Sequence, residues 1–159
     1  MRTPSQTVGP YYSIGLSRRS CNELLPASDP AAVRLSGRLF DGDGAAVPDG
    51  MVELWDASGR RWGRSETDED GMFFFVMAKP AASPGVAPHL ELMVFARGLL
   101  RHQRTRIYFP DEAAANAADP VLASLSEADR VRLVAESEED GVRFDIHLQG
   151  PLETIFFTS

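Results

Sequence analysis

Few side chains in this sequence of 159 residues are equipped for chemistry, and their spacing limits what they could do. The histidines His89, His102 and His147 stand far apart, and none lies two to four residues from another or beside the single cysteine, Cys21. A transition-metal site needs imidazole, thiolate or carboxylate ligands that converge, so each histidine reads first as a packing or surface residue. Asp41-Gly42-Asp43-Gly44 and Asp68-Glu69-Asp70-Gly71 look like the start of calcium loops. Neither continues to the glutamate that closes an EF-hand loop, so both are expected to be hairpin turns. No Gly-x-Ser-x-Gly elbow, P-loop or dinucleotide fingerprint is present, which removes the usual signals for a serine hydrolase or a nucleotide enzyme. Cys21 cannot form an internal disulfide, and an inert thiol in a reducing compartment is the expectation. The tyrosines are Tyr11, Tyr12 and Tyr108 only, and composition and spacing by themselves stop at a soluble β-sandwich.

Sixteen basic residues stand against 23 acidic ones, a net charge of −7. Such a chain lacks the summed positive field that gathers nucleic-acid phosphates. Every basic residue except Lys79 is an arginine. Arginine suits interfacial ion pairs and bidentate carboxylate recognition better than lysine does. No apolar leader follows Met1-Arg2-Thr3-Pro4-Ser5-Gln6, and no stretch approaches the roughly 18 apolar residues of a membrane span. A soluble, cytoplasmic protein is expected.

Positioning these residues falls mainly to strands. Val33 to Ser36, Val52 to Trp55, Arg104 to Tyr108 and Val142 to Leu148 alternate apolar and polar residues with period two, the pattern of half-buried strands. Met72 to Met77 and Leu90 to Phe95 are more continuously apolar, as expected of strands covered on both faces or packed at an interface. Turn chemistry punctuates them at Pro48-Asp49-Gly50, Ser58-Gly59 and Asp140-Gly141. The fold class is therefore all-β, an antiparallel β-sandwich of about seven short strands. One helix is expected from an N-cap at Ser126 through Val134, and a short turn at Ala113 to Ala118. Residues 1–32, rich in Pro, Ser and Gly, read as an extended N-terminal arm, and residues 33–159 as the sandwich domain. The three-proline loop 78–88 has little conformational freedom and could shape a pocket edge.

Read in order, Thr3-Pro4-Ser5-Gln6-Thr7-Val8-Gly9-Pro10-Tyr11-Tyr12, Val52-Glu53-Leu54-Trp55, Phe95-Ala96-Arg97-Gly98, Thr105-Arg106-Ile107-Tyr108-Phe109, Arg143-Phe144-Asp145-Ile146 and Glu153-Thr154-x-Phe156-Phe157 resemble the alpha-subunit family of protocatechuate 3,4-dioxygenases, intradiol ring-cleaving enzymes. The resemblance runs from Thr3 to Phe157. It implies an α/β hetero-oligomer of β-sandwich subunits in which an iron-bearing beta subunit inserts both atoms of O2 into 3,4-dihydroxybenzoate, giving 3-carboxy-cis,cis-muconate. It also implies that ferric iron, Fe(III), is held in the partner by two tyrosines and a His-x-His pair, ligands suited to a hard or borderline cation. Here no tyrosine lies between Tyr12 and His89, and Glu91 stands where the second histidine would follow His89-Leu90. This chain thus resembles the metal-free partner, with no metal or catalytic residues of its own.

By the same resemblance, Thr7, Gly9, Pro10, Tyr11 and Arg97 lie in or beside the shared substrate pocket. Gly9 would permit close backbone approach or positive φ, Pro10 would preset the following chain, and Arg97 would offer a charged fork to a substrate carboxylate. Two stretches are shorter than the family pattern, Trp55 to Gly63 and Leu16 to Val33, so Leu54, Trp55 and Trp62 are candidates for exposure toward a partner. The competing reading is a stand-alone β-sandwich module for binding or structure, since fold alone does not fix function.

Overall fold

Inward-facing apolar residues, alternating along short strands, build two sheets that pack face to face in the computed structural model, which describes residues 3–9, 11–16 and 21–157. In chain order the elements are α1 (Tyr12–Leu16), β1 (Ala32–Phe40), β2 (Met51–Asp56), β3 (Arg61–Glu66), β4 (Met72–Ala78), β5 (His89–Phe95) and β6 (Gln103–Tyr108). They continue with α2 (Ala113–Ala118), α3 (Pro120–Ala123), α4 (Glu127–Val131), β7 (Glu136–Glu138), β8 (Gly141–Arg143) and β9 (Ile146–His147). One sheet runs β4-β1-β8-β7 with β9 also against β1, and the other runs β3-β2-β5-β6. The β-sandwich expected from the sequence is the fold observed. Its second sheet is wholly antiparallel, whereas β8 and β9 pair with β1 in parallel. The long crossover from β6 through three helices makes that orientation possible.

Leu35, Leu39, Phe73, Phe75 and Met77 of the first sheet meet Val52, Leu54, Leu90, Leu92, Val94 and Ile107 of the second in one buried core. Burying each such side chain contributes roughly 1.5–3 kcal/mol, so the facing strands alone supply the main driving force. Both open sides of the second sheet are covered. Residues 21–25 lie across the β3 edge: Arg64 N donates to Cys21 O at 3.0 Å, while Leu24 N donates to Val76 O and Val76 N to Asn22 O, each at 2.8 Å. At the other edge, Phe157 N donates to Arg104 O and Thr105 Oγ1 to Ile155 O, both at 2.8 Å. Covering these edges removes the unpaired backbone that invites pairing with other chains.

Several sequence expectations need correction. β5 is not covered on both faces: its burial alternates, leaving Glu91, Met93 and Phe95 half-buried on the outer side. In β4, outward Phe74 is covered by the Arg34 guanidinium 4.3 Å above its ring rather than by another layer. The expected strand 142–148 is interrupted at Phe144-Asp145, because the Asp145 carboxylate accepts from Arg38 N at 2.9 Å in place of a ladder carbonyl. Gly37 is required there, since a Cβ would sit 1.9 Å from Phe144 O. The helix from Ser126 forms with its cap, but stops at Val131 instead of Val134. Backbone at Leu133 and Ala135 is taken up by Tyr108, with bonds of 2.8 and 2.9 Å. The two acidic loops are turns: Asp41 Oδ1 accepts from Asp43 N and Ala45 N, and Asp68 Oδ1 from Asp70 N and Met72 N. Among the described residues no helix is long and apolar enough to cross a membrane.

Candidate functional site

Two turns far apart in sequence are neighbours because β2 and β5 pair with Met51 opposite Phe95. The turn after β5 is closed by Leu99 N donating to Ala96 O at 3.2 Å, with Gly98 at φ +93°, a conformation that favours glycine. This places Arg97 at an exposed tip. The turn before β2, Pro48-Asp49-Gly50, is fixed by a buried threonine: Gly50 N donates to Thr67 Oγ1, and Thr67 Oγ1 to Val47 O, each at 2.7 Å. Arg97 Nε forms an ion pair with Asp49 Oδ2 and thus bridges the two turns.

The N-terminal arm crosses this same corner. Thr7 Oγ1 accepts from Gly98 N at 2.9 Å and lies 3.3 Å from Ala96 O, to which it donates, so it grips the backbone on both sides of Arg97. Further along, the Tyr12 hydroxyl donates to Asp49 O at 2.7 Å. Burial pushes the Tyr12 phenol up to about 12, reinforced by the Glu66 and Asp49 carboxylates and opposed by Arg97. At neutral pH Tyr12 is therefore a fixed donor. Arg64 Nη1 donates to Leu16 O at 3.0 Å, which lays α1 against the outer face of β3.

Thr7 and Arg97, two of the residues singled out from the sequence, are thus brought together. Tyr11 is on the same arm with 76% of its surface exposed. Gly9 meets neither condition proposed for it within this chain: nothing lies within 4 Å of a would-be Cβ, and its φ is outside the left-handed region. Its carbonyl accepts from Tyr12 N at 3.2 Å. Pro10 lies outside the described residues. Sequence reasoning missed Asp49, which reads as an ordinary turn residue, and Tyr12. Only the pairing of β2 with β5 reveals that Asp49 faces Arg97.

A ferric site of the tyrosine and histidine kind does not fit these residues. The Tyr108 ring is fully buried and its hydroxyl donates to Asp119 Oδ1 at 3.1 Å. Tyr12 is committed to Asp49, His89 Nδ1 lies 2.9 Å from Ala87 O, and Glu91 lies between Arg106 at 3.4 Å and Arg104 at 3.8 Å. Each histidine rests on an aromatic ring: His89 on Tyr108, His102 on Phe95 and His147 on Phe40. Among the described residues, no group of three or more His, Cys, Asp or Glu side chains could hold a metal ion.

Beside the arm a hollow of about 370 Å³ lies between Gln6, Val8, Phe95, Leu100 and His102. Ala96 and Leu99 also line it, although Arg97 between them does not. The three-proline loop contributes to no part of this hollow; its Ala87 N instead donates to buried Asp119 at 3.0 Å. Of the residues flagged for exposure, Leu54 is fully buried because it points into the core, while Trp55 and Trp62 are 37% and 43% exposed on the outer face. The short stretch between them is a tight hairpin in which Asp56 Oδ1 accepts from Ser58 N, Ser58 Oγ and Gly59 N.

No established family profile matches the chain. Among solved structures, the dioxygenase domain of a Streptomyces dioxygenase and carbohydrate-binding fusion superposes with TM-score 0.64 and 23% identity, over 93% of this chain and 98% of that one. Catechol 1,2-dioxygenase from an Acinetobacter species gives TM-score 0.60 and 20% identity, over 80% of this chain and 56% of that one. Both likenesses show the intradiol dioxygenase fold. Among curated proteins, the protocatechuate 3,4-dioxygenase beta chain of Burkholderia cepacia is 29% identical over 73% of this chain and 63% of that protein. The alpha chain from Pseudomonas putida is 37% identical over 98% of this chain and 95% of its own length. The Burkholderia cepacia alpha chain is 39% identical over 98% of this chain and 96% of that protein. That alignment has 190 positions against 159 residues here, so the relative carries at least 31 residues that this chain lacks. Matched at this level over nearly the full length of both partners, the chain belongs to the protocatechuate 3,4-dioxygenase alpha-chain family.

Proposed function

We propose that this chain shapes the active site of an iron(III)-bearing beta-type partner that cleaves 3,4-dihydroxybenzoate with O2 to 3-carboxy-cis,cis-muconate. In this reading residues 1–32 are an arm on the 33–159 sandwich, anchored to it where residues 21–25 join both sheets, and Thr7, Gly9, Pro10, Tyr11 and Arg97 form the side of the substrate pocket that this chain contributes. The partner's iron supplies the catecholate binding and the oxygen chemistry. This chain recognises the ring's carboxylate and walls the pocket. The observation that carries the reading is the grip of Thr7 on the backbone at both sides of Arg97, which ties the arm to an exposed guanidinium.

The distribution of apolar surface supports an assembly. The exposed large apolar side chains include Tyr11, Ile14 and Leu16 of the arm, the paired Trp55 and Trp62 on the outer face of β2 and β3, and Leu100 in the turn after β5, with Val131 and Leu152 exposed elsewhere in the chain. Exposed aromatic and aliphatic side chains such as Trp55 and Trp62, with Arg64 beside them, are of the kind enriched at protein interfaces.

Arg97→Ala in the complex tests the reading. Loss of a charge-assisted hydrogen bond worth roughly 1.5–3 kcal/mol lowers kcat/KM for 3,4-dihydroxybenzoate by about 10- to 100-fold, with iron content unchanged. Catechol, which has no carboxylate, loses much less. Equal losses for both substrates remove Arg97 from carboxylate recognition.

A further inference from the structure

An exposed arginine at the tip of a turn is a poor recognition group by itself, because its long side chain must be ordered before it can grip a carboxylate in two places. Here the ordering is built in. Asp49 engages Arg97 at Nε, and among the described residues no hydrogen bond is made by the two terminal nitrogens, so the end of the fork can meet a second carboxylate. Asp49 is itself fixed: its carbonyl accepts from the Tyr12 hydroxyl, and the next residue's N–H is held by buried Thr67. The backbone on each side of Arg97 is held by Thr7.

We propose that Asp49 is a positioning residue for carboxylate recognition, which orients Arg97 from its Nε edge so that the terminal nitrogens meet an aromatic carboxylate without displacing Asp49. The proposal rests on the role of Arg97 given above. Two opposing effects decide the sign. A carboxylate on Arg97 weakens its net attraction for an anionic substrate, but for a pair this exposed the attraction is screened and small. Orientation of a flexible guanidinium is the larger effect, because it is otherwise lost each time substrate binds. Asp49 therefore strengthens substrate binding.

The test uses the α/β complex with Arg97→Ala, Asp49→Ala and Asp49→Asn, each assayed with 3,4-dihydroxybenzoate and catechol alongside the melting temperature. Asp49→Ala raises KM for 3,4-dihydroxybenzoate by about 3- to 10-fold with kcat nearly constant. Asp49→Asn, which keeps an oxygen to accept from Nε, recovers most of that loss, and catechol shows no comparable effect. An unchanged or lowered KM for 3,4-dihydroxybenzoate in Asp49→Ala overturns the proposal while leaving the role of Arg97 intact. Equal losses for both substrates without rescue by Asn make Asp49 a structural residue and also overturn it. If Arg97→Ala itself fails to separate the two substrates, the reading of Arg97 falls, and the positioning role of Asp49 with it.

Discussion

Tyr12 shows how a single side chain links the arm to the sandwich. Its phenol is pushed up to about 12, chiefly by burial and then by the carboxylates of Glu66 and Asp49. A folded-state value above the ordinary value of about 10 means that the folded protein favours the protonated phenol. The contribution of this tether is therefore fully present below pH 10 and is lost as pH rises through 12. The expected result is that tyrosinate absorbance, subtracted between the wild type and Tyr12→Phe, isolates one phenol that titrates near 12. Titration near 10 would contradict the tethered geometry. Thr7 and Arg97 were legible in the sequence only through the motifs Thr-x-Gly-Pro-Tyr-Tyr and Phe-Ala-Arg-Gly. Asp49 was not, because a Pro-Asp-Gly turn looks the same whether or not its carboxylate meets an arginine 48 residues away.

Among the elements, the helical crossover depends on Asp119. This carboxylate is buried and accepts from Ala87 N, Val121 N, Leu122 N and the Tyr108 hydroxyl, joining α3, the end of β6 and the loop before β5. Asp119→Ala removes an N-cap and leaves buried donors unpaired, a cost of about 3 kcal/mol. For a chain of this size that corresponds to a melting temperature lower by roughly 6–12 °C, measurable by calorimetry. A shift within a degree or two would show that the crossover does not depend on this residue. The strands legible in the sequence were those with large apolar residues facing inward. β3 escaped notice because its inward positions are Gly63 and Ser65, and Gly63 is small to admit Leu24 and Cys21. β7 carries no signal because all three of its residues are exposed. α3 is four residues long, although Asp119 before Pro120, a cap followed by proline at the first helical position, marks it in retrospect. α1 contains Gly15 and takes its place from contacts with β3 rather than from propensity.

For the molecule as a whole, the arm and the sandwich should be separable. Residues 3–16 contribute exposed apolar side chains and a few hydrogen bonds, whereas residues 21–25 close the core, where Leu24 packs. Deleting residues 1–16 should leave the melting temperature within a few degrees and sharply lower turnover of the α/β complex. Extending the deletion through residue 25 should destabilise the sandwich itself. If the shorter deletion prevents folding, the arm is a core element and not a pocket wall. The division of labour between subunits is tested by purifying this chain alone, a beta-type chain alone and the two coexpressed, then measuring iron per chain and ring cleavage in each. Full turnover of 3,4-dihydroxybenzoate is expected only from the coexpressed pair, as a coloured stoichiometric complex with one iron per α/β unit and no iron in this chain alone. Stoichiometric iron, a tyrosinate-to-iron absorption band or ring cleavage in this chain by itself would contradict it.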